Sequence, residues 1–145
     1  MIKDISKQSN LLDYIVNYSK TDVLSFFWLG MQPYNKIWEL QKSLHDKISK
    51  QEIGDVVLLL EHPHIYTLGK NANKNHLLPS YPKDADVIDI DRGGDITYHG
   101  PGQLVGYPII NLKNYKQSVS WYMNVLEDII ISVLLDIGIL SLIHI

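Results

Sequence analysis

At 145 residues, the chain is long enough to fold as one domain with its own hydrophobic core. A formal net charge of −3 gives no reason to expect a nucleic acid or an anionic membrane as a partner. The sequence has no cysteine, which excludes disulfides, thiolate metal sites and a cysteine nucleophile within these residues. The N-terminus lacks the long apolar segment of a secretory signal, so we expect a cytoplasmic protein without a membrane span.

The N-terminal residues 1–22 are predicted to be an extension outside the main domain, which occupies residues 23–145. A short apolar repeat in the extension predicts a helix, with Ser9 or Asn10 as its N-cap. The repeat consists of Leu11, Leu12, Ile15 and Val16. A loosely packed surface helix is favoured over a docking helix for a partner.

The main domain begins with a predicted strand at Val23–Leu29 and a helix that starts at Pro33, a residue suited to the first helical turn. The apolar stripe of this helix consists of Ile37, Leu40, Leu44 and Ile48. Two further strands are predicted over residues 55–60 and 65–68.

Two histidines lie between these last two strands, in the sequence Glu61-His62-Pro63-His64. In an extended backbone, His62 and His64 would point to the same face, which is compatible with a metal site. Local spacing places no third ligand beside them, and Pro63 favours a turn. We therefore predict no metal.

The C-terminal half contains predicted strands near residues 87, 95 and 104 and a helix capped by Ser118 that ends before Gly138. A strand-length apolar run follows over residues 139–145. Together the elements predict an α+β fold with a mixed sheet flanked by helices. The helix at Pro33 is expected on one face of that sheet and a glycine-rich stretch across the other.

The glycine-rich stretch, residues 92–112, carries the side chains best suited to bind a ligand. Arg92 is the only arginine among the 13 lysines and arginines. Its use at this position indicates a need for the planar guanidinium group, whose N–H groups can donate several hydrogen bonds in fixed directions. Arg92 could bind a phosphate or carboxylate, and His99 could donate to a carbonyl or transfer a proton. Alternatively, the glycines only form a tight hairpin and His99 satisfies a buried carbonyl. Both interpretations stay open on the residues alone. Four of its glycines lie close together in the first half of the stretch: Gly93, Gly94, Gly100 and Gly102.

The ordered string RGGDITYHGPGQ, followed by an apolar strand, resembles the signature of the lipoyl/octanoyl protein transferases, or lipoate-protein ligase B. Residues 29–41, LGMQPYNKIWELQ, look like the first strand end and helix of that family. Residues 58–78, LLLEHPHIYTLGKNANKNHLL, resemble a second family segment. The resemblance extends in order over about residues 24–138. It implies the fold of the biotin and lipoate protein ligase catalytic domains, incomplete at the C-terminus.

The resemblance also implies a function: moving an octanoyl group from octanoyl-acyl carrier protein to a lysine of a lipoyl domain. Expected acceptors are the lipoyl domains of 2-oxoacid dehydrogenases and the glycine cleavage H protein, with no cofactor. The family's cysteine nucleophile and its neighbouring lysine lie beyond the matched region, so no catalytic residue is expected in this truncated chain. The residues that the resemblance places in the acyl-substrate site are Arg92, Gly93, Gly94, Asp95, Ile96, Thr97, Tyr98 and His99.

Two other functions are compatible with the sequence. The first is a non-catalytic protein that binds acyl carrier protein or lipoyl domains and keeps only the apolar groove that would hold the acyl chain. The second is an ATP-dependent lipoate or biotin ligase of the same fold, which needs no protein nucleophile. The form of the string RGGDITYHGPGQ favours the transferase over the ligase.

Overall fold

The computed structural model describes residues 1–141, which form two compact units, Met1–Ile110 and a second that begins at Asn111. The strands of the first unit are β1 (Ile2–Asp4), β2 (Ser25–Met31), β3 (Val56–Glu61), β4 (Ile65–Leu68), β5 (Asp86–Asp89), β6 (Ile96–His99) and β7 (Val105–Ile109). Its helices are α1 (Leu11–Tyr18) and α2 (Tyr34–Ser49), and the second unit contains α3 (Val119–Asp136). Single 3-10 turns occupy Lys74–His76 and Leu112–Asn114.

The strands form two sheets. In the four-stranded sheet the order is β1-β2-β3-β7, with the first three strands parallel and β7 antiparallel to β3. In the three-stranded sheet the order is β5-β4-β6, with β5 parallel and β6 antiparallel to β4. The α+β class with mixed sheets is confirmed, whereas the single sheet expected from the sequence is wrong. The short link Glu61–Ile65 between β3 and β4 carries the chain from one sheet to the other.

The core lies between the four-stranded sheet and helices α1 and α2. Strand β3 alternates buried and half-buried residues along its length, as a strand with one covered face does. The apolar stripe predicted for α2 is buried in full, so this prediction is confirmed. The core residues are Ile5, Leu11, Ile15, Phe27, Leu29, Ile37, Leu40, Leu44, Ile48, Ile53, Val56, Leu58, Leu60 and Ile109.

The N-terminal residues belong to this core. Strand β1 pairs in parallel with β2, from Ile2 opposite Phe26 to Asp4 opposite Trp28. Helix α1 is capped by the side chain of Asn10, and its Ile15 is 0% exposed. The expected loosely packed surface helix is therefore wrong, because the apolar repeat of α1 is used to cover the sheet. The boundary expected after residue 22 does not coincide with either compact unit.

Helix α3 of the second unit begins and ends where its local chemistry predicts. The side chain of Ser118 accepts a hydrogen bond from the backbone N–H of Trp121, as an N-cap does. At the other end, Gly138 has a φ of +79°, the left-handed conformation that commonly ends a helix. The apolar run predicted over residues 139–145 lies largely outside the described residues. None of the helices within residues 1–141 is long and apolar enough to span a membrane.

The packing of α1 is testable by substitution. We expect Ile15→Ala to lower the free energy of unfolding by about 2–5 kcal/mol, because the change leaves a cavity in a closed core. The matched control is Asn17→Ala on the exposed face of the same helix, with an expected effect within about 0.5 kcal/mol. Urea unfolding measures both values. Equal effects of the two substitutions would contradict the packing of α1 on the core.

Candidate functional site

The three-stranded sheet presents one polar face, on which three of the predicted site residues meet. Thr67 of β4 lies opposite Thr97 of β6, and Ile65 lies opposite His99. Because directly paired residues point to the same side of a sheet, these four side chains share a face. Arg92 reaches this face from the loop before β6, as its contacts with both threonines show.

The guanidinium of Arg92 fastens its own loop to β4 and β6. Its Nη2 lies within 3.1 Å of four acceptors: the backbone oxygen and hydroxyl of Thr67, the backbone oxygen of Asp95 and the hydroxyl of Thr97. Its Nη1 donates to the backbone oxygen of Gly93 at 2.8 Å. A lysine side chain lacks the planar guanidinium group that donates to these separate acceptors. The bidentate contact of Arg92 with an anion stays a prediction.

Glycines let this loop approach the end of β4. Gly94 has a φ of +87°, which most other residues adopt only with strain. A Cβ atom on Gly69 would clash with the carbonyl oxygens of Gly93 and Gly94. The close approach is held by backbone hydrogen bonds from Gly69 N to the oxygen of Asp95 (3.1 Å) and from Lys70 N to the oxygen of Arg92 (3.0 Å).

The side chain of Asp95 fixes the loop that follows β4 rather than facing the threonines. One carboxylate oxygen accepts from the backbone N–H of Asn73 at 3.0 Å, and the other pairs with Nδ1 of His76. These two hydrogen bonds, that of His76 first, hold the pKa of Asp95 below its usual range.

The link between the sheets, Glu61-His62-Pro63-His64, holds the chain from β6 to β7 at three points. Glu61 accepts a hydrogen bond from the backbone N–H of Gly102 at 2.7 Å. Nε2 of His62 lies 3.0 Å from the hydroxyl of Tyr107. Nδ1 of His64 lies 2.5 Å from the hydroxyl of Tyr98. The two histidines considered as metal ligands therefore have different protein partners.

His62 is 0% exposed, and its hydrogen bonds define its protonation. Its Nδ1 lies 2.7 Å from the backbone oxygen of Gln32, which can only accept, so Nδ1 carries the hydrogen. In the neutral ring, Nε2 then accepts from the hydroxyl of Tyr107. Burial lowers the pKa of His62, the bond to Gln32 opposes this effect, and nearby His99 adds to the lowering.

An aromatic cluster surrounds His62 and contains Tyr34, His62, His99 and Tyr107. The His62 ring centroid lies 5.2 Å from that of Tyr34, 5.5 Å from that of His99 and 5.9 Å from that of Tyr107. The rings of Tyr34 and His99 are stacked with centroids 6.1 Å apart. Burial is the main cause that raises the pKa of both tyrosines, so their hydroxyls stay protonated near neutral pH.

A cavity of about 240 Å³ lies beside the cluster. Tyr34 belongs to both, since its ring stacks on His99 and also lines the cavity. Ile65 and Ile88 give the cavity an apolar wall on the same sheet face as Thr67 and Thr97. His64 and Asp86 are its titratable lining groups.

The eight predicted site residues do not form one continuous surface. Arg92, Thr97 and His99 share the polar face, whereas Tyr98 points to the other side of β6 and packs against Tyr66, with ring centroids 4.9 Å apart. Ile96 lies two residues before Tyr98 on β6, so its side chain points to the same side of the strand as that of Tyr98. Gly93 and Gly94 build the loop. That all eight residues contact substrate stays a prediction.

Four residues of this region were not found by sequence reasoning: Tyr34, His62 as a buried hydrogen-bonding residue, Thr67 and Tyr107. Thr67 and Tyr107 sit on strands correctly predicted at residues 65–68 and near 104. Their contacts join residues 25 to 45 positions apart, and only pairing of the strands brings them together.

Comparison with known families matches residues 33–142 to the lipoyl protein ligase A/B catalytic domain. This chain belongs to that family. The membership confirms the resemblance seen in the sequence and agrees with the mixed α+β fold.

Similar curated proteins carry the name octanoyltransferase. The protein of Gloeobacter violaceus is 46% identical over 111 residues, which are 76% of this chain and 50% of that protein. The chloroplastic octanoyltransferase LIP2p2 of Arabidopsis thaliana is 47% identical over 110 residues, 70% of this chain and 39% of that protein. The protein of Chloroflexus aurantiacus is 40% identical over 122 residues, 81% and 55% respectively. The chain therefore spans about half the length of these relatives.

Because His62 is buried and neutral in this member of the lipoyl protein ligase family, we expect the free energy of unfolding to depend on pH. The folded-state pKa of His62 lies below the unfolded value of about 6.5, so below that pH the unfolded chain binds more protons. The stability contributed by neutral His62 is thus present above about pH 6.5 and is lost as pH falls through the folded-state pKa. Urea unfolding at pH 7.5 and 5.5 should show a smaller difference for His62→Gln than for the wild type.

The control for this experiment is His45→Gln, which removes an exposed histidine of α2. Its stability difference between the two pH values should match that of the wild type. If His62→Gln and His45→Gln show the same pH dependence, the assignment of His62 as a buried neutral histidine is wrong.

The hydrogen bonds of the Arg92 guanidinium lead to a second prediction. Arg92→Lys should lower the free energy of unfolding by about 1–3 kcal/mol, because the hydroxyls and carbonyls around Nη2 lose donors. Lys70→Ala, an exposed change in the adjoining loop, should stay within about 0.5 kcal/mol. A lysine variant as stable as the wild type in urea unfolding would show that the guanidinium group is not required.

Proposed function

We propose that these residues form the acyl-binding part of an octanoyltransferase of protein lipoylation. In this proposal the octanoyl group comes from octanoyl-acyl carrier protein and passes to a lysine of a lipoyl domain. Lipoyl domains of 2-oxoacid dehydrogenases and the glycine cleavage H protein are the proposed acceptors. Membership of the lipoyl protein ligase family and the octanoyltransferases among its relatives support this choice.

The observation that carries the proposal is an apolar cavity that borders a polar sheet face. An acyl thioester has the matching chemistry, with an apolar chain and one polar group at its end. The wall formed by Ile65 and Ile88 suits the chain, and Tyr34 connects this wall to His99. In this arrangement the thioester group lies near His99 and Thr97, the polar residues of the same face.

The aromatic cluster supports a rigid site. His62 is hydrogen-bonded through both ring nitrogens, so it holds Tyr107 and packs against His99 and Tyr34 without rotating. A side chain locked by such contacts needs no ordering when a substrate binds. We propose that the cluster contributes by keeping the His99 ring in place beside the thioester.

The experiment that tests the proposal compares two forms of acyl carrier protein by calorimetric titration against the 145-residue chain. Octanoyl-acyl carrier protein should bind at least about tenfold more tightly than the unacylated carrier, since burying two methylenes is worth about 1.6 kcal/mol. His99→Ala should weaken octanoyl-carrier binding about 2- to 10-fold, because the ring that stacks on Tyr34 beside the cavity wall is lost. His45→Ala, an exposed change on α2, is the matched control and should have no effect.

The outcomes test the proposal against its alternatives. Equal affinity for both carriers would show that the cavity does not hold the acyl chain, which contradicts the proposal. Mass spectrometry of a lipoyl domain added to the mixture then tests transfer. Octanoylation of its lysine from the carrier supports a transferase, whereas modification only with free octanoate and ATP supports the ligase alternative. Binding without modification is the outcome expected of an acyl-binding part that lacks the family's cysteine and lysine, and of the non-catalytic binder.

A further inference from the structure

A hydrogen bond outside the regular strands determines which nitrogen of His99 carries a proton. Nδ1 of His99 lies 2.8 Å from Oε1 of Gln103, a residue in the turn between β6 and β7. The amide nitrogen of Gln103 lies 3.4 Å from the backbone oxygen of Tyr98 and donates to it. Turning the amide around would place two oxygens against each other. The Gln103 oxygen therefore faces Nδ1 as an acceptor, and Nδ1 must donate.

The tautomer of His99 follows from this bond. In a neutral imidazole only one nitrogen carries hydrogen, so protonation of Nδ1 leaves Nε2 with a free lone pair. Within residues 1–141 no protein group is hydrogen-bonded to this Nε2. The aromatic and titratable groups packed around the ring are Tyr34 from α2 and His62 from the link after β3.

We propose that Gln103 is a positioning residue that holds His99 with Nε2 unprotonated, and that Nε2 accepts a proton from the amine that receives the acyl group. This inference rests on the proposed function and assigns a role within it. A lone pair repels a carbonyl oxygen but accepts from an N–H group. Nε2 of neutral His99 thus faces the attacking amine and not the oxygen of the thioester.

The proton balance of the transfer is complete with this assignment. The lysine nitrogen forms a bond to the acyl carbonyl carbon, and the bond from that carbon to the thioester sulfur breaks. The lysine enters as the uncharged amine, so its nitrogen gives one proton to Nε2 of His99, and the imidazolium returns that proton to the departing sulfur. The products are an amide and a thiol. His99 ends in its starting tautomer, still donating from Nδ1 to Gln103.

The first test reads the tautomer directly by nitrogen NMR of the ¹⁵N-labelled 145-residue chain at pH 8, with the His99 signals assigned by His99→Gln. The wild type should show a protonated Nδ1 and an unprotonated Nε2. Gln103→Ala should lose this pattern, whereas Gln103→Glu should keep it, because a carboxylate also accepts from Nδ1. Gln117→Ala, an exposed change in the second unit, should leave the signals unchanged.

A protonated Nε2 in the wild-type chain would overturn the proposal. So would a His99 pattern that Gln103→Ala does not change. A variant that fails to fold is recognised from its remaining spectrum, and the isosteric Gln103→Glu then decides.

The second test uses two small probes that differ in one group. N-Butyl octanamide carries the N–H of an acyl-transfer product, and S-butyl thiooctanoate does not. Gln103→Ala should weaken binding of the amide about 2- to 10-fold, the range of one hydrogen bond, and change thioester binding less than about twofold. Gln103→Glu should restore amide binding. Equal weakening of both probes would show that Gln103 is only structural, and so overturn the role of Nε2.

The two tests separate this inference from the proposed function. If neither probe binds while the NMR pattern is as expected, the octanoyl site is wrong, the role of Nε2 toward an amine falls with it, and the positioning of His99 by Gln103 stands. If both probes bind but the tautomer is the opposite one, the octanoyl site stands and the role of Gln103 is wrong.

Discussion

The site depends on one buried hydrogen-bonded histidine. His62 joins the backbone of Gln32, just after β2, to the hydroxyl of Tyr107 on β7, and its ring packs against His99 at the end of β6. A buried imidazole is tolerated when both nitrogens have partners, because an unpaired polar group in a core is costly. His62 therefore links the four-stranded sheet, which contains the core, to the three-stranded sheet, which presents the site.

Local chemistry in the sequence was enough to predict the helices of the main domain and most strands. The stripe from Ile37 to Ile48 has helical spacing, and Ser118 and Gly138 are the residues that begin and end helices. In the N-terminal region, helix α1 and its cap Asn10 were predicted correctly, whereas strand β1 and the packing of α1 on the core were not. Short segments of three and eight residues gain stability only by packing, which local patterns do not show. The division into two sheets depends on strand pairing, which local patterns do not specify.

The candidate site could be predicted only in part, because its contacts also depend on strand pairing. The single arginine in the sequence indicated a special role for Arg92, and in the structure its guanidinium group donates hydrogen bonds to Thr67 and Thr97. Its partners are Thr67, 25 residues earlier, and Thr97, and nothing near Arg92 in sequence indicates the first of them. Pro63 correctly indicated a break between the two strands, and the backbone bends at residues 63 and 64. Spacing alone could not show that His62 turns inward while His64 pairs with Tyr98.

The short link between the two sheets also determines where this chain tolerates changes in length. Three of its four residues hold partners at fixed positions, so one inserted residue would pull Glu61 or His64 out of register with Gly102 or Tyr98. The loop before β5 is less restricted at residues 78–80, which are exposed, belong to no strand or helix and form hydrogen bonds with Tyr81 and Lys83 of the same loop. Affinity tags, fluorescent labels or tethers to a carrier protein are best inserted there, in an exposed loop outside the strands and helices.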